Sequence, residues 1–192
     1  MKQMIIAIVG QAGSGKDTVA QLMRMTLHVP ILCSYTTRPM REGEVNGREH
    51  IFVKECNIPR EKMLAYTEYG GYKYWTELSQ IKDTAIYVID EKGIMDICER
   101  FPDIELVNIY VAAKPETLKA RGIAPERMKR DEYRVTMDIN SFDYVITNNS
   151  SLWALLQAVI TLSLQMTKYS LEDLKTFNQE LSEYIKAALK DN

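Results

Sequence analysis

The sequence is poor in the features that mark disulfide-rich, zinc-binding or membrane proteins. Its 192 residues include only three cysteines, an odd number without a Cys-x-x-Cys spacing, which argues against a disulfide framework or a zinc site and is typical of a reducing compartment. No apolar run approaches the roughly 20 residues of a membrane span, and the first run, residues 4–9, is too short for a signal peptide. The net charge of −2 gives no reason to expect nucleic acid or an anionic membrane as a partner. We therefore expect a cytoplasmic protein.

Apolar runs alternate with helical patterns along most of the chain. Residues 4–9 form a continuous run bounded by Gly10, which is typical of a strand buried on both faces of a parallel sheet. Alternating strands and helices predict an α/β fold with a mainly parallel sheet, and the chain length favours a single domain. The further predicted strands are 31–33, 85–89, 106–111 and 143–147, and the predicted helices are 16–25, 93–100, 115–121, 125–139 and 152–162.

Two segments interrupt this alternation, and a third follows it. Residues 34–80 are polar and contain four glycines, which predicts an insertion standing off the sheet, and residues 121–134 form a basic cluster. An apolar stripe after Ser170 predicts a last helix over about 170–190. We expect this helix to pack onto the chain's own sheet, with a dimer surface as the alternative, so the chain is predicted to be a monomer or a homodimer.

A glycine-rich loop follows the first predicted strand, with the sequence Gly-Gln-Ala-Gly-Ser-Gly-Lys-Asp-Thr over residues 10–18. Backbone N–H groups of such a loop and the following helix N-terminus cradle phosphates, and the lysine reaches the β- and γ-phosphates. A Ser or Thr usually follows the lysine to meet Mg²⁺. Asp17, which stands there instead, is either an oxygen ligand of Mg²⁺ or an acid favoured in a first helical turn, and Thr18 offers the alternative hydroxyl. The predicted ATP-binding residues of the loop are Gly10, Gly13, Ser14, Gly15, Lys16, Asp17 and Thr18.

Two arginines, Arg38 and Arg41, lie three residues apart in the segment after the second predicted strand. The planar guanidinium group pairs with phosphate in bidentate fashion, which suits a kinase whose acceptor is itself a phosphate. The pattern S-x-T-T-R-x-x-R-x-G-E-x-N-G-x-x-x-x-F-V over residues 34–53, at this distance from the loop, resembles the guanylate kinase family of P-loop nucleoside monophosphate kinases. The resemblance extends over about residues 3–165.

The resemblance implies a P-loop NTPase-type parallel sheet flanked by helices, with two attachments. The core would comprise residues 1–33, 81–120 and 135–192, with an insertion that binds the nucleoside monophosphate (NMP) at 34–80 and a short arginine-rich lid at 121–134. It also implies transfer of the γ-phosphoryl group of ATP, with Mg²⁺, to a GMP- or dGMP-like acceptor. Small-molecule nucleotides are then the expected partners.

The resemblance further assigns roles to individual residues. The lid arginines would neutralise the transferring group and exclude water. Lys16, Arg38, Arg121 and Arg130 are the expected catalytic residues, and Asn148 joins the ATP site. Arg38, Arg41, His50 and Tyr74 would bind the acceptor phosphate, Ser34 and Thr76 the guanine oxygen, and Asp90 the guanine N–H groups. The alternative for Asp90 is a cap at the end of a strand.

Departures from the family pattern are concentrated in the base-binding segment. His50 replaces a tyrosine; it can still hydrogen-bond a phosphate and add charge near pH 6. Ala65 replaces the glutamate that reads the base, a charge-assisted pair worth roughly 1.5–3 kcal/mol, and Glu68 is the expected substitute. Two alternatives therefore stay open. One is a nucleoside or deoxynucleoside monophosphate kinase of different or relaxed base specificity, and the other is a non-catalytic guanylate-kinase-like binding module, against which the retained glycines and Lys16 argue.

Overall fold

Twelve regular elements can be followed in a computed structural model that describes residues 2–48, 50–124, 128, 131 and 136–166. Their order alternates strands with helices before and after a central run of short strands. In chain order they are β1 (Met4–Gly10), α1 (Lys16–Leu27), β2 (Tyr35–Thr36), β3 (Ile51–Phe52), β4 (Met63–Tyr69), β5 (Tyr72–Glu77), β6 (Thr84–Val88), α2 (Glu91–Arg100), β7 (Glu105–Ala112), α3 (Pro115–Ala120), β8 (Tyr144–Thr147) and α4 (Leu152–Met166).

The core is a parallel sheet in the order β6–β1–β7–β8. Successive side chains of a strand point to opposite faces, and β1 is apolar at every position because both of its faces are covered. Ile6 and Ile8 pack in one cluster with residues of α1 and α4, whereas Ile5 packs in a second cluster that includes Ile94 of α2. The predicted α/β fold with a parallel sheet and flanking helices is confirmed. No helix in the described part of the chain has the length and apolarity to cross a membrane.

A second, smaller sheet in the order β3–β2–β5–β4 lies within residues 34–80. β4 and β5 form an antiparallel hairpin, and β2 pairs with β5. The strand predicted at 31–33 is wrong, because Ile31 makes only an isolated parallel bridge to Ile86. The chain makes this short contact with the main sheet and then enters the second sheet at β2. The polar segment therefore lies beside the carboxyl end of β6. The exact division into core, insertion and lid stays a prediction.

The remaining predicted helices agree with the structure except in the lid region. Residues 136–138 of the helix predicted at 125–139 are not helical, and residues 139–141 form a single 3-10 turn. The predicted lid residue Arg130 and the helix predicted over 170–190 lie outside the described residues.

Candidate active site

The glycine-rich loop joins the carboxyl end of β1 to the N-terminus of α1, as the motif predicts. Gly15 has φ 97°, in the region that favours glycine, and a Cβ atom there would lie 2.4 Å from Nδ2 of Asn148. A Cβ atom on Gly10 would lie 2.4 Å from the carbonyl oxygen of Val111. The backbone therefore needs glycine at position 15 for both conformation and space, and at position 10 for space.

Two side chains from distant parts of the sequence hold the loop in shape. Asn148 follows β8, is 6% exposed, and donates from Nδ2 to the carbonyl oxygen of Ser14 at 2.8 Å. Arg121, just after α3, donates to the carbonyl oxygens of Gly13 at 2.8 Å and of Asn148 at 3.0 Å. The loop, β8 and the end of α3 are thus tied into one unit, and the guanidinium of Arg121 lies beside the loop.

A cavity of about 350 Å³ opens at this loop, and we call it the loop cavity. Lys16 contributes its ammonium group, which donates to the carbonyl oxygen of Gln11 at 2.9 Å. Of the predicted ATP-binding residues, Ser14 is fully buried and does not line the cavity. The predicted residues that do line it are Gly13, Gly15, Lys16, Asp17, Thr18, Arg121 and Asn148.

The oxygens of Asp17 and Thr18 at this cavity fit a site for Mg²⁺. Asp17 also lies in the first turn of α1, as its predicted helix-dipole role requires, and its role as an Mg²⁺ ligand stays a prediction. No group of three or more His, Cys, Asp or Glu side chains arranged for a metal occurs among the described residues. The oxygens of Asp17 and Thr18 nevertheless suit Mg²⁺, because this ion usually takes one or two protein oxygens and completes its shell with water and substrate phosphates.

The two predicted acceptor arginines lie at a broad cleft, which we call the arginine cleft, that also reaches Asp17 and Thr18. Arg38 is 8% exposed, and its two terminal nitrogens donate to the two carboxylate oxygens of Glu44 at 2.9 and 2.8 Å. Hydrogen bonds from Arg38 and then from the backbone N–H of Arg41 lower the pKa of Glu44 to about 2. The side chain of Arg41 is exposed. Glu44 therefore holds Arg38 in place and neutralises part of its charge.

His50 lies where the arginine cleft meets a smaller cavity, in edge contact with the rings of Phe52 and Tyr74. Burial, and next the charge of Arg38, lower the pKa of His50, so the imidazole is neutral at pH 7. Its Nδ1 atom is buried without a hydrogen-bond partner among the described residues. The pKa shift runs against the expectation that His50 adds charge near pH 6.

The smaller cavity, about 140 Å³ and here called the inner cavity, lies between the hairpin and the end of β6. Asp90 lies two residues after β6 and caps α2, because its Oδ1 accepts from the N–H of Gly93 at 2.8 Å. No described residue donates to its Oδ2, which leaves an acceptor at the cavity. The predicted residues that line the cavity are Ser34, His50, Tyr74 and Asp90, and Thr76 lies behind it, fully buried.

Glu68 does not reach the inner cavity. Ala65, Tyr66 and Thr67 line it, whereas Glu68 is the next residue, is exposed, and accepts a hydrogen bond from the hydroxyl of Tyr66. Glu68 lies two residues after Tyr66 in β4, on the same face of the strand, and its carboxylate is bound to the hydroxyl of that tyrosine. In this structure it is therefore not placed as the substitute for the glutamate that Ala65 replaces.

Two residues that the sequence did not single out are at the site. Tyr87, in the middle of β6, hydrogen-bonds with Thr76 and Ser34, and the only signal for it was a polar aromatic side chain inside an apolar strand, where such a group needs a partner. The carboxylate of Asp131 accepts from the N–H of Ala12 at 2.6 Å. The two lie 119 residues apart, and no pattern in the sequence joins them.

Comparisons with known proteins agree with the resemblance seen in the sequence. The guanylate kinase family model matches residues 1–160. A guanylate kinase of Halalkalibacterium halodurans is 28% identical, covering 83% of this chain and 88% of the relative, and one of Prochlorococcus marinus is 27% identical, covering 78% and 91%. The crystal structure of guanylate kinase from Anaplasma phagocytophilum has the same fold, with a TM-score of 0.57 and 19% identity over 86% of each chain.

Proposed function

The chain belongs to the guanylate kinase family, and from that premise we propose that it transfers the γ-phosphoryl group of ATP to GMP or dGMP. The observation that carries the proposal is the joint presence of a complete phosphate loop and the acceptor motif of residues 34–53 in one cleft system. The loop cavity and the arginine cleft share Asp17 and Thr18, so a donor phosphate at the first and an acceptor phosphate at the second would meet there.

The loop supplies the donor site. Backbone N–H groups at the start of α1 and the ammonium group of Lys16 would hold the β- and γ-phosphates. Mg²⁺, bound through Asp17 or Thr18, would neutralise charge on the same phosphate oxygens. Arg121, already fixed against the loop, adds a second cation at the transferring group, and Arg130 is proposed for the same task.

The acceptor site depends on an exchange of partners at Arg38. A dianionic phosphate competes with the carboxylate of Glu44 for the same two guanidinium nitrogens, and charge-assisted bidentate pairing favours the more highly charged anion. Arg41, with an exposed side chain, and Tyr74 would bind the remaining phosphate oxygens. Because the acceptor phosphate is already an anion at pH 7, the reaction needs positioning and charge neutralisation rather than a general base.

The inner cavity is the site proposed for the base. Oδ2 of Asp90 would accept an N–H of guanine, and the hydroxyl of Ser34 would donate to its carbonyl oxygen. Both groups are fixed by contacts that exist without ligand, with Asp90 capping α2 and Ser34 hydrogen-bonding Thr76 at 2.9 Å. Such pre-formed polar groups, in a cavity that is also lined by Ala65, Val88 and Ile89, are what small-molecule specificity requires.

A coupled assay of phosphoryl transfer tests the proposal directly. Mg·ATP is offered with GMP, dGMP, AMP, CMP, UMP or dTMP, and Lys16→Ala serves as the inactive control for contaminating kinases. We expect the highest kcat/KM for GMP or dGMP. Equal activity on several bases would instead support the relaxed-specificity kinase, and loss of all transfer with ATP binding retained would support the binding module. Neither alternative is favoured by the family relationship.

The cellular location and the oligomeric state of the protein stay predictions from the sequence. A cytoplasmic location follows from the cysteine content and from the apolar runs being short. A monomeric or homodimeric state is predicted from the apolar stripe after Ser170, and light scattering at assay concentrations distinguishes the two states.

A further inference from the structure

Three hydroxyl groups from different parts of the chain meet at the wall of the inner cavity. Ser34 precedes β2, Thr76 lies in β5 and Tyr87 lies in β6. The Oγ1 of Thr76 is 2.6 Å from the hydroxyl of Tyr87 and 2.9 Å from Oγ of Ser34, whereas Ser34 and Tyr87 are 3.3 Å apart. Thr76 is fully buried and Tyr87 is 5% exposed, so water does not compete for the contact between these two hydroxyls.

The lengths of these contacts and the acidity of the groups set the direction in which the protons point. A phenol is a stronger donor than an aliphatic alcohol, and 2.6 Å is at the short end for an O–H···O hydrogen bond. Tyr87 therefore donates to Thr76. Burial raises the pKa of Tyr87, so the phenol keeps the proton that it donates.

The remaining two protons follow from the first. Each hydroxyl has one proton to donate, so Thr76, having accepted from Tyr87, donates to Ser34 at 2.9 Å. The proton of Ser34 then has only the long 3.3 Å contact back to Tyr87 or a ligand in the cavity. Because Ser34 lines the cavity, a ligand acceptor gives the better hydrogen bond.

We propose that Tyr87 is a specificity-determining positioning residue, whose phenol orders the relay Tyr87–Thr76–Ser34 so that Ser34 donates to a carbonyl group at position 6 of the acceptor purine. The inference rests on the proposed function, which it deepens by assigning the choice between a 6-oxo and a 6-amino purine. A 6-amino group offers no acceptor, so the proton of Ser34 would be left with the long 3.3 Å contact to Tyr87, the weaker of its two possible hydrogen bonds. The relay therefore offsets part of the selectivity lost with the glutamate that Ala65 replaces.

The test uses Tyr87→Phe and three acceptors, GMP, IMP and AMP, with Mg·ATP. The variant keeps the ring and removes the fixed donor, so Ser34 can turn to accept as well as to donate. We expect the KM for IMP to rise roughly 3- to 10-fold with little change in kcat, and the IMP:AMP ratio of kcat/KM to fall by about the same factor. The GMP:IMP ratio, which reports on the 2-amino group alone, should not change.

Two further variants separate the relay from a general loss of structure. Thr76→Val breaks the relay at its middle while keeping the side-chain shape, and it should lower the IMP:AMP ratio as Tyr87→Phe does. Tyr110→Phe removes another phenol, on β7 away from the inner cavity, and should leave the ratio unchanged. Urea unfolding of each variant establishes that the compared proteins are folded.

The outcomes distinguish the relay from the function on which it rests. An unchanged IMP:AMP ratio in folded Tyr87→Phe and Thr76→Val overturns the relay while leaving GMP kinase activity intact. An equal loss of activity on GMP, IMP and AMP also overturns it, since a merely structural role would affect all three alike. If the wild-type protein transfers no phosphoryl group to GMP or IMP, the proposed function fails and the relay fails with it.

Discussion

Asn148 is expected to stabilise the phosphate loop, and Asn148→Ala tests this. Its side-chain Nδ2 atom donates to the backbone carbonyl oxygen of Ser14 at 2.8 Å, and its backbone carbonyl oxygen accepts from Arg121 at 3.0 Å. The backbone contact to Arg121 survives the substitution, whereas the side-chain contact to Ser14 is lost. The variant thus removes one identified hydrogen bond from the loop.

The magnitude follows from where the lost partner lies. A buried acceptor left without a donor costs about 1–3 kcal/mol. Asn148 lines the loop cavity, so water can reach the space that its amide leaves, and we expect the low end, about 1 kcal/mol. At roughly 2–4 °C per kcal/mol for a protein of this size, the melting temperature should fall by about 2–4 °C. A loop that is no longer fixed must be ordered by ATP, which should raise the KM for ATP by about fivefold with a smaller effect on the KM for GMP.

The assay is thermal unfolding together with steady-state kinetics in which ATP and GMP are varied separately. Asn140→Ala is the matched control, because Asn140 is exposed and its amide donates only locally, to Asp138. The control should leave both KM values unchanged. A KM for ATP in Asn148→Ala within twofold of wild type would refute the reasoning, since the loop would then keep its shape without the side chain.

Three further predictions follow from the same contacts. Gly15→Ala should abolish ATP binding measurable by calorimetry. Adding Asn148→Ala should restore only part of the binding, because it removes the 2.4 Å clash but not the strain of a side chain at φ 97°. Full restoration of binding would show that the strained backbone conformation does not limit it. Arg38→Lys should raise the KM for GMP roughly tenfold at unchanged KM for ATP, because an ammonium group lacks the bidentate fork, and equal KM values would contradict that role. Glu44 has a pKa of about 2 in the folded protein against an ordinary 4.5, so its contribution to stability is full above about pH 4.5 and is lost as the pH falls towards 2. The difference in urea midpoint between wild type and Glu44→Gln should shrink over that range, and a constant difference would exclude the ion pair as its source.

The parts of the site that could be predicted from sequence are those where the backbone dictates the residue type. The loop was predictable because a strand, a glycine turn and a helix start occur in one uninterrupted segment, and Gly15 is required by conformation and space. The role of Arg38 as a phosphate ligand stays a prediction from its motif, and its ion pair with Glu44 depends on how residues 39–43 turn back. Glu68 was chosen because it lies near Ala65 in sequence, and the direction of a side chain at the end of a hairpin is set by packing that the sequence does not display.

Tyr87 is a residue whose place at the site could not be predicted from the sequence. Its partners lie 11 and 53 residues away, so only the fold brings the three hydroxyls together. A carboxylate such as the one absent at Ala65 contributes by its charge, whereas a hydroxyl relay contributes by its direction, which a single buried donor is enough to fix. Glu68, the one charged residue of β4, is exposed and accepts from the hydroxyl of Tyr66, so it does not take the place of the lost charge. Under the proposed function, selectivity would come from Asp90 at one edge of the base and from the oriented hydroxyl of Ser34 at the other.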